Sequence, residues 1–217
     1  ELVFALLRAN TELRSIRIGG AAALNLLQGL GDQVPMLSGA TRISTLMVHS
    51  DSDTTKTTWS CVADMLTYNS SLTVADFLRN GIDTESALKL RDVGVSEGKM
   101  LSGITFEQPD ADLSSLGLKE ADGVLLACDL TISRKLRQLN LQNNELGKSS
   151  AKAIAEALVR NPRCALKMLS LRNNRLGIEG GRLIGKALEA NSSLARLDCR
   201  ENEISGEGMH TLANAVV

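Results

Sequence analysis

Leu136-Arg-Gln-Leu139-Asn-Leu141-Gln-Asn-Asn144-Glu-Leu146-Gly147 is followed by Leu166-Lys-Met-Leu169-Ser-Leu171-Arg-Asn-Asn174-Arg-Leu176-Gly177. Then comes Leu194-Ala-Arg-Leu197-Asp-Cys199-Arg-Glu-Asn202-Glu-Ile204-Ser, so the three stretches start 30 and then 28 residues apart. Each carries apolar residues at 0, +3, +5 and +10 with Asn at +8, then runs into helical periodicity. Ala151, Ile154, Ala155 and Leu158 form that periodic half in one unit; Leu183, Ile184, Ala187 and Leu188 form it in the next. A period of this length marks units that cannot bury an apolar face alone and so stack into a continuous core. A short strand turns its 0, +3 and +5 residues inward, and the helix carries the chain back to start a parallel neighbour.

Working back from Leu136, the same 0, +3, +5 pattern recurs at Leu13/Ile16/Ile18, Ile43/Leu46/Val48, Leu72/Ala75/Phe77 and Leu101/Ile104/Phe106. The starts are 30, 29 and 29 residues apart, and the last stands 35 residues before Leu136. Asn10, Asn69 and Asn191 each lie three residues before a strand start, where a helix should end. The units resemble the leucine-rich repeat, and their length and helical second half resemble its ribonuclease-inhibitor-like subfamily. That resemblance implies an α/β solenoid, a right-handed horseshoe of about seven repeats with a parallel concave sheet and convex helices. It spans one domain, 1–217, with irregular repeats over 1–133 and near-ideal ones over 134–217. The chain opens and closes inside apolar runs and reads as part of a longer one.

Asn80, Asn144, Asn174 and Asn202 occupy the +8 position and read as structural: a buried amide there satisfies backbone groups where the strand turns away. At the same offset the other early units carry Ala21, Asp51 and Pro109. The stretch from Ala111 to Ser133 is several residues too long and predicts an extended loop or added turn. Gly29 to Gly39 interrupts the first helical half.

Composition narrows the function. Of 217 residues 43% are hydrophobic and 23% charged, which excludes a disordered chain. Only 2% are aromatic, so the core must be aliphatic and base-stacking platforms for single-stranded nucleic acid are wanting. The net charge of −1 gives no global pull toward nucleic acid or an anionic membrane, and no apolar run is long enough to insert in a bilayer. Charge is nevertheless polarised. Residues 51–133 hold 14 acids against 6 bases, and residues 134–217 hold 14 bases against 8 acids. Arg134-Lys135-x-Arg137 is the densest basic cluster. Cys61, Cys128, Cys164 and Cys199 stand alone, without metal-ligand spacing, and read as plain thiols in a reducing compartment.

No catalytic site emerges. His49 and His210 are about five units apart, and no phosphate-loop, zinc-helix or nucleophile-elbow motif is present. The expectation is therefore no cofactor, no metal and no small-molecule substrate. What remains is surface: the +2, +4, +6 and +7 side chains project from the concave sheet. The +4 column reads Arg17, Met47, Asp76, Thr105, Asn140, Ser170 and Asp198; Glu107 falls in the +6 column and Gln108 in the +7 column. The candidate partner-binding residues are Arg17, Met47, Asp76, Asn140, Gln142, Lys167, Arg172, Arg196, Asp198 and Arg200.

Mixed charges, amides and scattered apolar groups suit a protein-binding surface better than a pocket. The reading is a non-catalytic interaction module, a scaffold or subunit of a larger protein complex. It is expected to be intracellular and cytoplasmic, with a cytoskeletal, ciliary or organellar assembly as the alternative. The resemblance also admits a Ran-type GTPase-activating protein or another regulatory recognition protein, although no stretch matches that family's functional loop.

Overall fold

The structure is a computed structural model and describes residues 15–19, 45–49, 56–68, 72–161 and 164–214. Strands β1 (Ser15–Gly19) and β2 (Thr45–His49) precede helix α1 (Lys56–Tyr68). Then strands and helices alternate: β3 (Val74–Asp76), α2 (Thr84–Glu97), β4 (Asp110–Asp112), α3 (Glu120–Ile132), β5 (Gln138–Asn140), α4 (Lys148–Arg160), β6 (Met168–Ser170), α5 (Gly177–Ala190), β7 (Arg196–Asp198) and α6 (Glu207–Asn214). All named pairings are parallel between consecutive strands, β1-β2-β3 in one sheet and β4-β5-β6-β7 in a second. Asn10, Asn69, Cys61's side chain, the 20–44 stretch, and the side chains of Arg17, Met47 and His49 lie outside the described residues.

The period of two explains each strand. In β5, Leu139 is buried between exposed Gln138 and half-buried Asn140; in β6, Leu169 is buried between half-buried Met168 and Ser170. Leu136, Leu141 and Leu146 join Leu139, and Leu166, Leu171 and Leu176 join Leu169, in an aliphatic core that continues into Ile154, Leu158 and Ile184 on the helices. The one aromatic pair, Trp59 against Phe77, meets edge to face with centroids 5.9 Å apart. Small residues let the helices close up. A Cβ on Gly94 of α2 would stand 2.6 Å from the Cys128 sulfur of α3.

The +8 asparagines tie each unit to the one before. Asn144 Nδ2 donates to the carbonyls of Leu113 (2.9 Å) and Leu141 (3.0 Å), while its Oδ1 accepts from the N–H groups of Leu116 (3.1 Å) and Leu118 (3.0 Å). Asn174 repeats this with Leu141 and Leu171 (both 2.9 Å) and the Leu146 N–H (3.0 Å). Asn202 does so with Leu171 (2.7 Å), Cys199 (3.0 Å) and the Leu176 N–H (3.4 Å). Asn80 is fully buried and donates to Leu78 O at 3.1 Å. On the far edge Asn161 donates to Leu130 O (2.9 Å) and Ser133 O (2.8 Å), closing the end of α3.

The strand register differs from the sequence reading in one place. β4 begins at Asp110, and Ala111 pairs with Leu139, so this unit starts at Gln108 and not at Leu101. Backbone angles agree. The +7 residue is left-handed in every unit on this register: Arg79 (φ 63°), Ser115 (57°), Asn143 (57°), Asn173 (51°) and Glu201 (59°). Residues 111–133 therefore form an ordinary strand, turn and helix, and the expected long loop there is absent. The excess lies earlier, in a 36-residue step from Leu72 to Gln108.

Within that step Met100–Ser102 lies against β3, with Ala75 N–H bonding Met100 O (2.8 Å), Phe77 N–H bonding Leu101 O (3.0 Å) and Gly103 N–H bonding Ala75 O (2.9 Å). The chain then turns at Phe106 and Glu107 before reaching β4. The expected single concave ladder is accordingly split into two sheets between these segments.

Replacing Asn174 with Leu should lower the unfolding free energy by about 3 kcal/mol, because three backbone carbonyls and one N–H lose a buried partner. Asn173→Gly, at an exposed neighbour where glycine keeps the positive φ, should change it by less than about 0.5 kcal/mol. Urea unfolding of both variants measures the contrast, and equal effects would remove the amide ladder from the account.

Candidate functional site

Two buried acids on α3 hold the joint between the sheets. Asp129 is fully buried. Its carboxylate accepts from the N–H groups of Leu101 (2.6 Å) and Ser102 (3.1 Å) and from the Ser102 hydroxyl. Those N–H groups face away from β3, where the next strand's carbonyls would otherwise be, so one side chain stands in for a strand. Asp122 plays a matching part at the other end of α3. Position +8 of this unit is Leu116, which cannot form an amide rung, and Asp122 instead accepts from Arg79 N–H and Lys119 N–H, both at 2.8 Å. Lys99, also buried, donates to Leu72 O at 2.8 Å. Burial lowers its pKa against the raising effect of Glu97.

Burial pushes the Asp129 carboxyl up to about 7, against the hydrogen bonds from Ser102 and Leu101, and nearby Asp76 adds to the rise. Asp122 is likewise raised by burial. These are structural acids enclosed in the fold, with no route for a substrate. Among the described residues no group of His, Cys, Asp and Glu is arranged to hold a metal ion. Cys128, Cys164 and Cys199 carry free thiols, and burial raises the Cys128 and Cys199 pKa values. No helix among the described residues is long and apolar enough to cross a membrane.

The accessible site is the concave face of the second sheet. A depression of about 500 Å³ crosses β4 to β7, with Leu139 and Leu169 in its floor and polar side chains around them. Its +2 row runs Asp110, Gln138, Met168, Arg196, and its +4 row runs Asp112, Asn140, Ser170, Asp198. Parallel strands lie about 4.8 Å apart, so Asp110 and Arg196 are separated by about 14 Å. Among the described residues neither carries an ion pair; both are exposed. Asn140 Nδ2 donates to Asp112 Oδ1 at 3.1 Å, and that bond, after the larger one from Ser114, keeps the Asp112 pKa low.

The candidates chosen from sequence divide on this face. Asn140, Gln142, Arg196 and Asp198 line the depression. Arg172 is held by Glu201 at 2.5 Å, and Arg200 by Asp198 at 2.6 Å; the Arg200 guanidinium takes the Asp198 pKa down to about 2. Lys167 sits at +1, outside the strand rows, and donates to Ser193 O at 3.1 Å in the next unit. Asp76 belongs to the first sheet, where its Oδ1 accepts from Leu78 N–H at 3.1 Å. Thr105, Glu107 and Gln108 leave the concave columns, and Asp112, Ser114 and Ser115 replace them. Asp110, Gln138 and Met168 were missed. The first was read as a solvated loop acid because the unit had been started seven residues early, and the +2 row was not followed.

Residues 133–155, covering β5 and the first turns of α4, match the family model described as Leucine Rich repeat. The chain is built on a leucine-rich repeat. No curated protein matches the sequence. Among solved structures, the tropomodulin C-terminal domain of Caenorhabditis elegans is similar at 17% identity over 73% of this chain and 90% of that one, with a TM-score of 0.43. A structure titled Leiomodin-1 Actin-Binding Site 2 is similar at 16% identity, over 88% and 87% of the two chains, with a TM-score of 0.39. An internalin of Listeria monocytogenes is similar at 15% identity, over 95% and 61%, with a TM-score of 0.34. At these TM-scores the likenesses add nothing to what the leucine-rich repeats themselves display.

Asp129 makes stability depend on pH in a definite direction. Its carboxyl titrates near 7 in the folded chain and near 3.9 when unfolded, so the folded state holds the extra proton between these values. Its contribution is full below about pH 4 and is lost as pH rises through 7, a change on the order of 4 kcal/mol. Urea unfolding should therefore show stability falling from pH 5 to pH 8. Asp129→Asn, a neutral mimic of the protonated acid, should flatten that slope.

Proposed function

We propose that this chain is a non-catalytic recognition module that binds a protein partner across the concave face of β4 to β7. The observation that carries the reading is the +2 row, where an uncommitted carboxylate at Asp110 and an uncommitted guanidinium at Arg196 flank Gln138 and Met168. Such a row is complementary to a partner that presents a cation and an anion about 14 Å apart. Complementary charge sets orientation and on-rate, and the Met168 side chain between them supplies adaptable apolar contact. The +4 row adds Asn140 and Asp198, with Gln142 beside them, as hydrogen-bonding groups; Arg172, Arg200 and Lys167 frame the face while tied to their own neighbours.

The repeats are of the ribonuclease-inhibitor-like kind on this reading, supported by unit steps of 28 to 30 residues and helices of 13 or 14 residues in α2 to α5. A solenoid of such units presents a long surface for a given chain length, which suits a scaffold or a subunit of a larger intracellular assembly. Fold alone does not choose the partner. A GTPase-activating role gains no support on this face: Arg172 and Arg200, the arginines that would serve it, are each held by a neighbouring carboxylate.

The test is affinity capture with wild type and two variants, Asp110→Arg and Arg196→Glu, followed by quantitative identification of bound proteins. Both substitutions are at exposed positions and should leave the fold intact. Partners specific to the concave face should fall by about tenfold or more with either variant, and the wild-type interaction should weaken as salt is raised. Partners retained unchanged by both variants would contradict the proposal.

A further inference from the structure

The long step between β3 and β4 does more than interrupt the sheet. Its turn places Phe106 and Glu107 beside the ends of two helices, forming one wall of a second cavity of about 640 Å³. Ile132 at the end of α3, Arg134 and Lys135 just beyond it, and Arg160 at the end of α4 complete the lining. This groove shares no residue with the concave depression.

Its floor is apolar and its rim basic. Phe106 and Ile132 are half-buried, and neither packs into the aliphatic core. In a chain that is 2% aromatic, a ring kept out of the core and held in a groove is a distinctive anchor. Three cations face a single carboxylate there. Lys135 meets Glu107 at 3.7 Å with side chains 61% and 83% exposed, an ion pair of little worth in water. Arg160 reaches Glu156 only at 3.9 Å, and Arg134 has no ion-pair partner among the described residues.

Cations near helix C-termini offset the helix dipole. Here, however, the end carbonyls of Leu130 and Ser133 are already bonded by Asn161. The basic side chains are thus not consumed as caps.

We propose that this groove docks an acidic peptide segment of a protein partner, one apolar side chain seated on Phe106 and Ile132 and its carboxylates facing Arg134, Lys135 and Arg160. The apolar floor is what favours a peptide over a polyphosphate or nucleic acid, to which it would offer nothing along the backbone.

A random peptide display library selected against the full chain, and in parallel against an Arg134→Glu/Lys135→Glu variant, tests this directly. The wild type should enrich a family that combines several Asp or Glu with a large apolar residue, and the double variant should not. Synthetic members of that family should bind the double variant and Phe106→Ser each at least about tenfold more weakly, while binding Arg196→Glu as well as wild type. Because the double variant alters only exposed side chains, its loss of binding reads as lost contact once its urea unfolding matches wild type. Failure to enrich an acidic family, or equal binding by wild type and the double variant, overturns the proposal. A single-stranded oligonucleotide that displaces the peptides with higher affinity overturns it as well.

Discussion

One carboxamide per unit does the work of joining one turn to the next. Asn144, Asn174 and Asn202 each donate to carbonyls of their own unit and of the preceding one, and each accepts an N–H from the preceding unit. A buried backbone group without a partner costs roughly 1–3 kcal/mol, so this geometry locks neighbouring units into one register. The leucines fill the space between strand and helix, but aliphatic packing alone tolerates sliding. Directional amide bonds do not.

The irregular joint follows from where that constraint is missing. Leu116 stands at the +8 position of the β4 unit, so no amide rung reaches back to the β3 unit. Two carboxylates on α3 substitute for it, Asp122 through Arg79 N–H and Asp129 through Leu101 and Ser102. Since Asp129 can satisfy the outward N–H groups of a segment that has no strand beside it, the chain can leave the sheet after Ser102 and spend several residues on a turn. Both surfaces inherit their composition from this event. It sets which residue of the β4 unit enters the concave row, Asp110 and not Gly103, and it delivers Phe106 and Glu107 to the opposite edge.

Much of the architecture was legible because leucine spacing and +8 asparagines are repeated, and repetition averages out local ambiguity. From Gln138 to Asp198 the strand positions follow from the pattern directly. The β4 unit was misread because Leu101, Ile104 and Phe106 reproduce the 0, +3, +5 spacing by coincidence, whereas the true set, Gln108, Ala111 and Leu113, begins with a polar residue. A usable signal was present in α3: Asp129 inside the run Val124–Leu130 is an acid with apolar neighbours on both sides, and such a group must find donors elsewhere in the fold. The ion pairs that occupy Arg172 and Arg200 could not be read from column positions, because the partner Glu201 lies one unit along and Asp198 two residues back.

Amide hydrogen exchange resolved residue by residue across 99–118 tests the central claim, that Asp129 caps an interrupted sheet and moves the next unit to Gln108. The account predicts slow exchange at Leu101 and Ser102, fast exchange through the turn at Phe106 and Glu107, and slow exchange again at Leu113, Leu116 and Leu118, whose N–H groups bond Asn140 and Asn144. Continuous protection from Gly103 through Phe106, with fast exchange at Leu113 to Leu118, would describe an uninterrupted repeat starting at Leu101 and would contradict it.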